Sequence, residues 1–367
     1  MQKPTTYFIL LLVLCSLSYI NCLDEIDLPI QPSLQDAIVI EGSLTLGNPS
    51  SARVSITRLF DFGASSLQPV NVRDVLLLDE QDQSISLAIA GAGIYEATID
   101  ASSPIEVKTG KSYRLEVTTF DGRRVITTPE PLIETPAAGQ IQLTLTDKEK
   151  LDEDGQITSE KYVSFNITAP IISTSEGKAA RFLWSLEQAY KFTDSPNRSL
   201  EDGKICYITQ TIDVTSVNAI DGSQFTGTNE ILTPIYETPI NYYFSEGYYI
   251  TAYQQSLSEG AYNYWNQISQ VIDRDGNMFE PPAGRILSNF RNIEDSSQAE
   301  NVYGYFYATQ VDTTRLYVAP EDVGSPSPYC PWPVNQISSP GSCPRFPCCD
   351  CLLENGSQLT KPSYWVN

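Results

Sequence analysis

Between residues 37 and 128, apolar and polar positions alternate in short runs, the period of strands with one buried face. The alternation is clear in 37–45 (AIVIEGSLT), 52–58 (ARVSITR), 84–89 (SISLAI), 93–99 (GIYEATI) and 113–119 (YRLEVTT), and 75–78 is a short continuous apolar run. Asp121-Gly122 joins 113–119 to 124–128, a dipeptide that favours a tight hairpin. About seven short strands with frequent turns and no helical period predict an immunoglobulin-like β-sandwich over 36–130. No cysteine falls in that region, which excludes an inter-sheet disulfide there.

Pro129, Pro131 and Pro136 mark a linker, after which new strands are expected at 141–146, 163–168, 181–187, 206–210, 302–307 and 314–318. The polar stretch 147–160 reads as a loop. One segment changes period. Ala261, Tyr264, Trp265, Ile268, Val271 and Ile272 share one face at helical spacing, and Asp275-Gly276 ends the run. Its start is capped by Ser258, or by a capping box of Ser256 and Glu259. The second unit, 137–367, is therefore expected to be β-rich with one or two helices. Its last part, 327–367, is rich in Cys and Pro with little periodicity, so crosslinks are expected to hold it. The fold class is mainly β.

The N-terminus has a different pattern. Lys3 precedes an apolar run at 7–14 (YFILLLVL), too short for a permanent membrane span, and the run leads to Asn21-Cys22. This is the layout of a signal peptide over 1–21. Ordinary cleavage favours small residues before the cut, and Tyr19-Ile20-Asn21 fits that poorly. Lipoprotein processing, with a lipid on Cys22, is the preferred reading. A plain secretory peptide, with Cys22 as a disulfide partner, is the alternative. Residues 22–35 (CLDEIDLPIQPSLQ) then form an acidic, Pro-containing tether.

Cysteine parity agrees with lipidation. Of eight cysteines, Cys15 falls in the signal peptide and Cys22 carries the lipid, leaving Cys206, Cys330, Cys343, Cys348, Cys349 and Cys351. An even set in an exported chain favours disulfides over zinc, and the spacing lacks the two separated pairs of a structural zinc site. Adjacent Cys348 and Cys349 are expected to pair elsewhere rather than with each other, with Cys206 and Cys330 as candidate partners.

The formal net charge is −22, spread along the chain, which disfavours nucleic acid and bare anionic membrane as partners. The chain has no histidine, so mechanisms built on Ser-His-Asp, Cys-His or His-ligated metal are excluded. The acidic loops around Gly155 and Gly276 fail the EF-hand ligand pattern. No metal or cofactor is expected. Recognition falls instead to the aromatic stretch 236–264. Tyr242, Tyr243, Tyr248 and Tyr249, with Trp332, are the binding-surface candidates. The same residues also fit core packing.

Several of these runs resemble a known family. IVIEGSLT, ARVSITR, GIYEAT and TGKSYRLEVTTFDGR, then Tyr264-Trp265, Gly304-Tyr305-Phe306 and the ending CCDCLLENGSQLTKPSYW, are similar to the Bacteroidota lipoproteins grouped as domain of unknown function 4249. The resemblance spans nearly all of the mature chain. It implies an outer-membrane lipoprotein, and Asp24 and Glu25 after Cys22 suit display on the cell surface. It also implies a TonB-dependent outer-membrane receptor as partner, and it carries over no catalytic residue. The expected function is a non-enzymatic accessory or ligand-capture subunit of a TonB-dependent nutrient transporter, its ligand a small nutrient or glycan. Rival expectations are a free-standing surface adhesin or glycan-binding protein, and a hydrolase built on two facing carboxylates.

Overall fold

In the computed structural model the described residues are 37–59, 67–151, 155–173, 177–195, 203–213, 218–272, 286–294, 296–297, 299–330 and 346–366. Cys22, Trp332, Cys343, the Asp275-Gly276 helix stop, the signal peptide and the tether lie outside them. The chain is mainly β, as its alternation predicts, with one α-helix among the described residues.

The N-terminal part contains β1 (Ile38–Leu46), β2 (Ser50–Arg58), β3 (Asp74–Leu78), β4 (Ser84–Ser86), β5 (Ala88–Gly91), β6 (Ile94–Ile99), β7 (Ser112–Thr118), β8 (Arg124–Thr127) and β9 (Glu130–Pro131). They form two sheets, β1-β2-β6-β5 and β4-β3-β7-β8, with β9 beside β7. Ile40, Leu44, Val54 and Ile56 from the first sheet meet Leu77, Leu115 and Val117 from the second in one core. Each fully buried aliphatic side chain contributes about 1.5–3 kcal/mol. Gly42 allows the sheets to close: a Cβ there would lie 3.0 Å from the Phe306 ring and 3.5 Å from Leu115. At the start of β7, the Tyr113 hydroxyl donates to the Glu106 carbonyl at 2.7 Å and accepts from the Lys108 amide at 2.8 Å. The run 84–89, expected as one strand, is divided between the sheets. Buried Leu87 sits at the crossing, and its amide bonds to Val75.

The second part contains β10 (Gln140–Leu151), β11 (Ile157–Pro170), β12 (Arg181–Thr193), β13 (Ile205–Ile212), β14 (Asn218–Asp221), β15 (Glu230–Pro239), β16 (Tyr248–Ser256), α1 (Glu259–Ile272), β17 (Phe290–Asn292), β18 (Val302–Tyr303), β19 (Phe306–Val318) and β20 (Ser357–Gln358). The described residues of 147–160 are mostly strand rather than loop. Strands β10 and β11 extend into it as an antiparallel pair, from Asp147↔Lys161 to Leu151↔Ile157. Both its faces are exposed, so charge pairs such as Lys150–Glu160 at 3.6 Å stand where an apolar stripe would have signalled a strand.

The two parts share one sheet. Strand β1 pairs in parallel with β18 and β19, and the sheet continues through β16, β12 and β13 to β20. Phe290, Val302, Phe306 and Ala308 come from the second part yet fill the N-terminal core. A second core lies around Phe165, Phe182, Phe192 and Tyr248. The run 302–307, expected as one strand, is broken at Gly304, whose φ of +91° and close approach to the Ile40 carbonyl exclude a side chain.

Two cystines hold the tail, Cys206–Cys351 and Cys330–Cys348, and Cys349 is also disulfide-bonded. Cys348 and Cys349 do not pair with each other, and Cys206 takes Cys351 rather than either of them. Beyond the cystines, β20 pairs with β13 and Trp365 is buried against Tyr207 and Tyr249.

Candidate functional site

The sequence places its recognition residues in 236–264, and the structure distributes them differently. Tyr248 is fully buried and Tyr249 is 5% exposed, so neither offers a binding surface. The reason is strand geometry. Both lie on β16, a central strand covered on both faces, so successive side chains enter two different cores. Tyr242 and Tyr243 are half-buried, Tyr242 stacked on Tyr329 and Tyr243 on Tyr190. Trp332 lies outside the described residues.

A different aromatic group lines a cleft of about 220 Å³ between α1 and the outer face of the shared sheet. Its floor follows from register. On β1, Ile40, Gly42 and Leu44 face the core, which turns Glu41 and Ser43 outward. Glu41 lies opposite Ser55 and Ser43 opposite Arg53 on β2. On the other side, Ser43 neighbours Tyr307 of β19, and the Tyr305 carbonyl accepts from the Gly42 amide at 3.0 Å. Glu41, Ser43, Arg53 and Ser55 on the consecutive strands β1 and β2 thus reach one surface with Tyr305 and Tyr307 from the start of β19, which is distant from them in sequence.

The roof is α1. Ser258 caps it by accepting from the Ala261 amide at 3.0 Å, the first of the two expected caps. The Ser258 hydroxyl donates in turn to Glu130 at 2.6 Å, and Tyr305 donates to the other oxygen of that carboxyl. Glu130 is 4% exposed, and burial raises its pKa against the lowering effect of hydrogen bonds from Ser258, Tyr305 and Asn289. At Gly260 a Cβ would approach the Tyr305 hydroxyl to 2.4 Å, so glycine lets the helix start sit this low. Val271 and Ile272, at the far end of the expected apolar face, are exposed.

Helix and floor meet through rings. Tyr264 stacks on Tyr305 at 5.0 Å between centroids, and Trp265 stands edge-on to Tyr307 at 6.3 Å. Burial, with the Glu41 charge nearby, raises the hydroxyl of Tyr264 and pushes that of Tyr307 up to about 12, so both stay protonated at neutral pH. The Trp265 indole N–H is buried without an acceptor among the described residues.

The charges of the cleft are not equivalent. Arg53 is engaged by Glu96, its cross-strand neighbour on β6. Glu41 is exposed and makes no hydrogen bond or ion pair among the described residues. It is also the one carboxylate lining the cleft, so no facing carboxylate pair stands there.

Asp194, Asp350 and Cys351 approach one another as metal ligands would. The chain already satisfies them. The Cys351 sulfur is held in its cystine, the Lys204 ammonium bonds Asp350 at 2.8 Å, and Asp194 accepts from the amides of Lys204 and Cys351. Among the described residues no helix is long and apolar enough to cross a membrane.

A family model described as "Domain of unknown function (DUF4249)" matches residues 24–315. The match contains every residue of the cleft and stops before Cys330, Cys348, Cys351 and Trp365. No curated protein matches the chain.

Proposed function

The chain belongs to the DUF4249 family, and from that premise we propose that it is an exported, lipid-anchored binding protein. In this reading it sits on the outer membrane facing the cell exterior, and serves a TonB-dependent nutrient transporter as a non-enzymatic accessory or ligand-capture subunit. The observation that carries the reading is the pair of cystines, Cys206–Cys351 and Cys330–Cys348. Disulfides persist in oxidising compartments outside the cytoplasm. The signal-like 1–21 segment supplies the export route, and Cys22 immediately after it supplies the anchor. The cleft under α1 supplies the place for a ligand. Its mix of aromatic rings with a few polar groups is that of a binding pocket, and its size suits a small molecule.

We also read the N-terminal sandwich as immunoglobulin-like. Two features support this. The order β1-β2-β6-β5 against β4-β3-β7-β8 corresponds to strands ABED against C′CFG. Tyr113, bonded back to the Glu106 carbonyl at the start of β7, occupies the place of a tyrosine corner.

The test is a pull-down of the tagged full-length protein from outer membranes in mild detergent, with mass spectrometry of the N-terminal peptide. The expected result is a co-purified β-barrel receptor and a diacylglyceryl group on Cys22. Recovery of the lipidated protein without any barrel would remove the transporter role. An unmodified Cys22 would remove the anchor.

A further inference from the structure

Within the cleft, the distribution of charge over the rings selects a ligand class. Elsewhere this chain places its own cations over its rings. Lys148 lies 4.7 Å from the Tyr162 centroid, Lys191 lies 5.8 Å from Trp365, and Arg315 lies 4.2 Å from Tyr364. Among the described residues no cation lies over Tyr264, Trp265, Tyr305 or Tyr307. Arg53, the basic residue of the cleft wall, is committed to Glu96. Glu41 remains uncompensated beside the rings, on a chain of formal net charge −22. The phenols stay neutral, so they add ring quadrupole and hydroxyl groups but no charge.

Aromatic faces attract a cation through their quadrupole, most strongly where water is partly excluded, and an adjacent carboxylate adds to that attraction. An anion would meet Glu41 and the negative field of the chain. A neutral ligand would gain nothing from Glu41, which is exposed to water. A cleft of about 220 Å³ lies below the usual range for drug-sized ligands, about 300–1,000 Å³, and admits a compact molecule.

We infer that the cleft between α1 and the β1–β2–β19 face binds a small organic cation, a quaternary or protonated amine held against the half-buried rings of Trp265 and Tyr307, which the buried Tyr264–Tyr305 stack backs, with Glu41 as its counter-charge. This rests on the cleft being the ligand site of the proposed binding protein. It does not depend on the transporter partnership.

The probes are choline, tetramethylammonium and 3,3-dimethylbutan-1-ol, the uncharged carbon analogue of choline. They are titrated into the full mature chain by calorimetry, with cystines intact. Both cations are expected to bind, choline at least about tenfold more tightly than its neutral analogue. Glu41→Gln is expected to weaken choline binding by about tenfold. Trp265→Ala should weaken it further, provided its near-ultraviolet circular dichroism stays native. Glu41 is exposed and outside the cores, so Glu41→Gln tests the idea even if the tryptophan variant fails to fold. Equal binding of choline and its analogue, or unchanged choline affinity in Glu41→Gln, would overturn the cation assignment while leaving the cleft as a ligand site. Absence of binding by either cation to the folded chain would overturn it as well. Neither outcome touches the barrel pull-down, which stands or falls separately.

Discussion

The cleft under α1 and the cluster at the C-terminal tail are built from the same residue types, tyrosines around one tryptophan, and they differ in what covers the rings. At the tail, Trp365 is 3% exposed and packs edge-on to Tyr207 and Tyr249 at 5.3 and 5.0 Å, while Lys191 and Arg315 cover ring faces. The chain closes this cluster with its own tail and its own cations. Under α1, Tyr264 and Tyr305 are buried against each other, but the half-buried Trp265 and Tyr307 border open space, and the nearby carboxylate has no partner among the described residues. An abundance of aromatic residues therefore marks structure in one place and a site in the other. What separates them is whether the rings and charges already have partners.

The comparison breaks most directly at its two tryptophans. Trp365→Ala removes a fully packed side chain and should cost about 3–5 kcal/mol of stability. Trp265→Ala removes a half-buried one and should cost roughly 1 kcal/mol. Urea midpoints of the two variants check the order. The reverse order would mean that the cleft is core and the tail cluster is accessory.

The cystine next to the tail sharpens the same contrast. Cys206–Cys351 spans 145 residues of sequence and ties the start of β13 to the segment that delivers Trp365. Replacing both cysteines by alanine should cost about 2–5 kcal/mol by releasing loop-closure entropy to the unfolded chain. Limited proteolysis should then cut within the tail while the cleft, built on β1, β2, β19 and α1, keeps its ligand affinity. Loss of affinity together with the tail would show that the two regions are not independent.

Much of this architecture was legible in the alternation of the chain, because strands with one buried face declare themselves locally. Strands β1, β2, β6 and β7 fall within a residue or two of their expected runs, and Ser258 caps α1 where the pattern placed a cap. The cleft was not legible, for a topological reason. Its floor joins residues near position 41 to residues near 305 through the parallel pairing of β1 with β19, and its roof comes from a helix beyond the Pro-rich linker. Period-two alternation shows that Glu41 and Ser43 face away from the core. It carries nothing about which distant strand lies beside them. Two of the aromatic nominees, Tyr248 and Tyr249, are buried for a related reason. Density of tyrosines in 236–264 does not say that β16 is central, and a central strand buries both Tyr248 and Tyr249.

The smallest expected effect concerns the anchor of the cleft, for which the tail cluster has no counterpart. Glu130 is buried, and no cation pairs with it among the described residues. Burial raises its pKa, so the folded protein keeps the proton to higher pH than the unfolded chain does. Below the ordinary carboxylate range both states are protonated and the penalty is absent. As pH rises from that range through the raised value, the folded state holds more protons, and stability falls until Glu130 is ionised in both states. Glu130→Gln carries no charge and should lack this slope, so its urea midpoint should gain on that of the wild type as the pH is raised. Trp365→Ala should keep the slope, since it leaves Ser258, Tyr305 and Glu130 in place. Parallel pH profiles for the wild type and Glu130→Gln would mean that Ser258, Tyr305 and Asn289, with the N-terminus of α1, already stabilise the carboxylate as well as water does. The helix would then be held over the cleft by a fixed charge rather than by a titrating one.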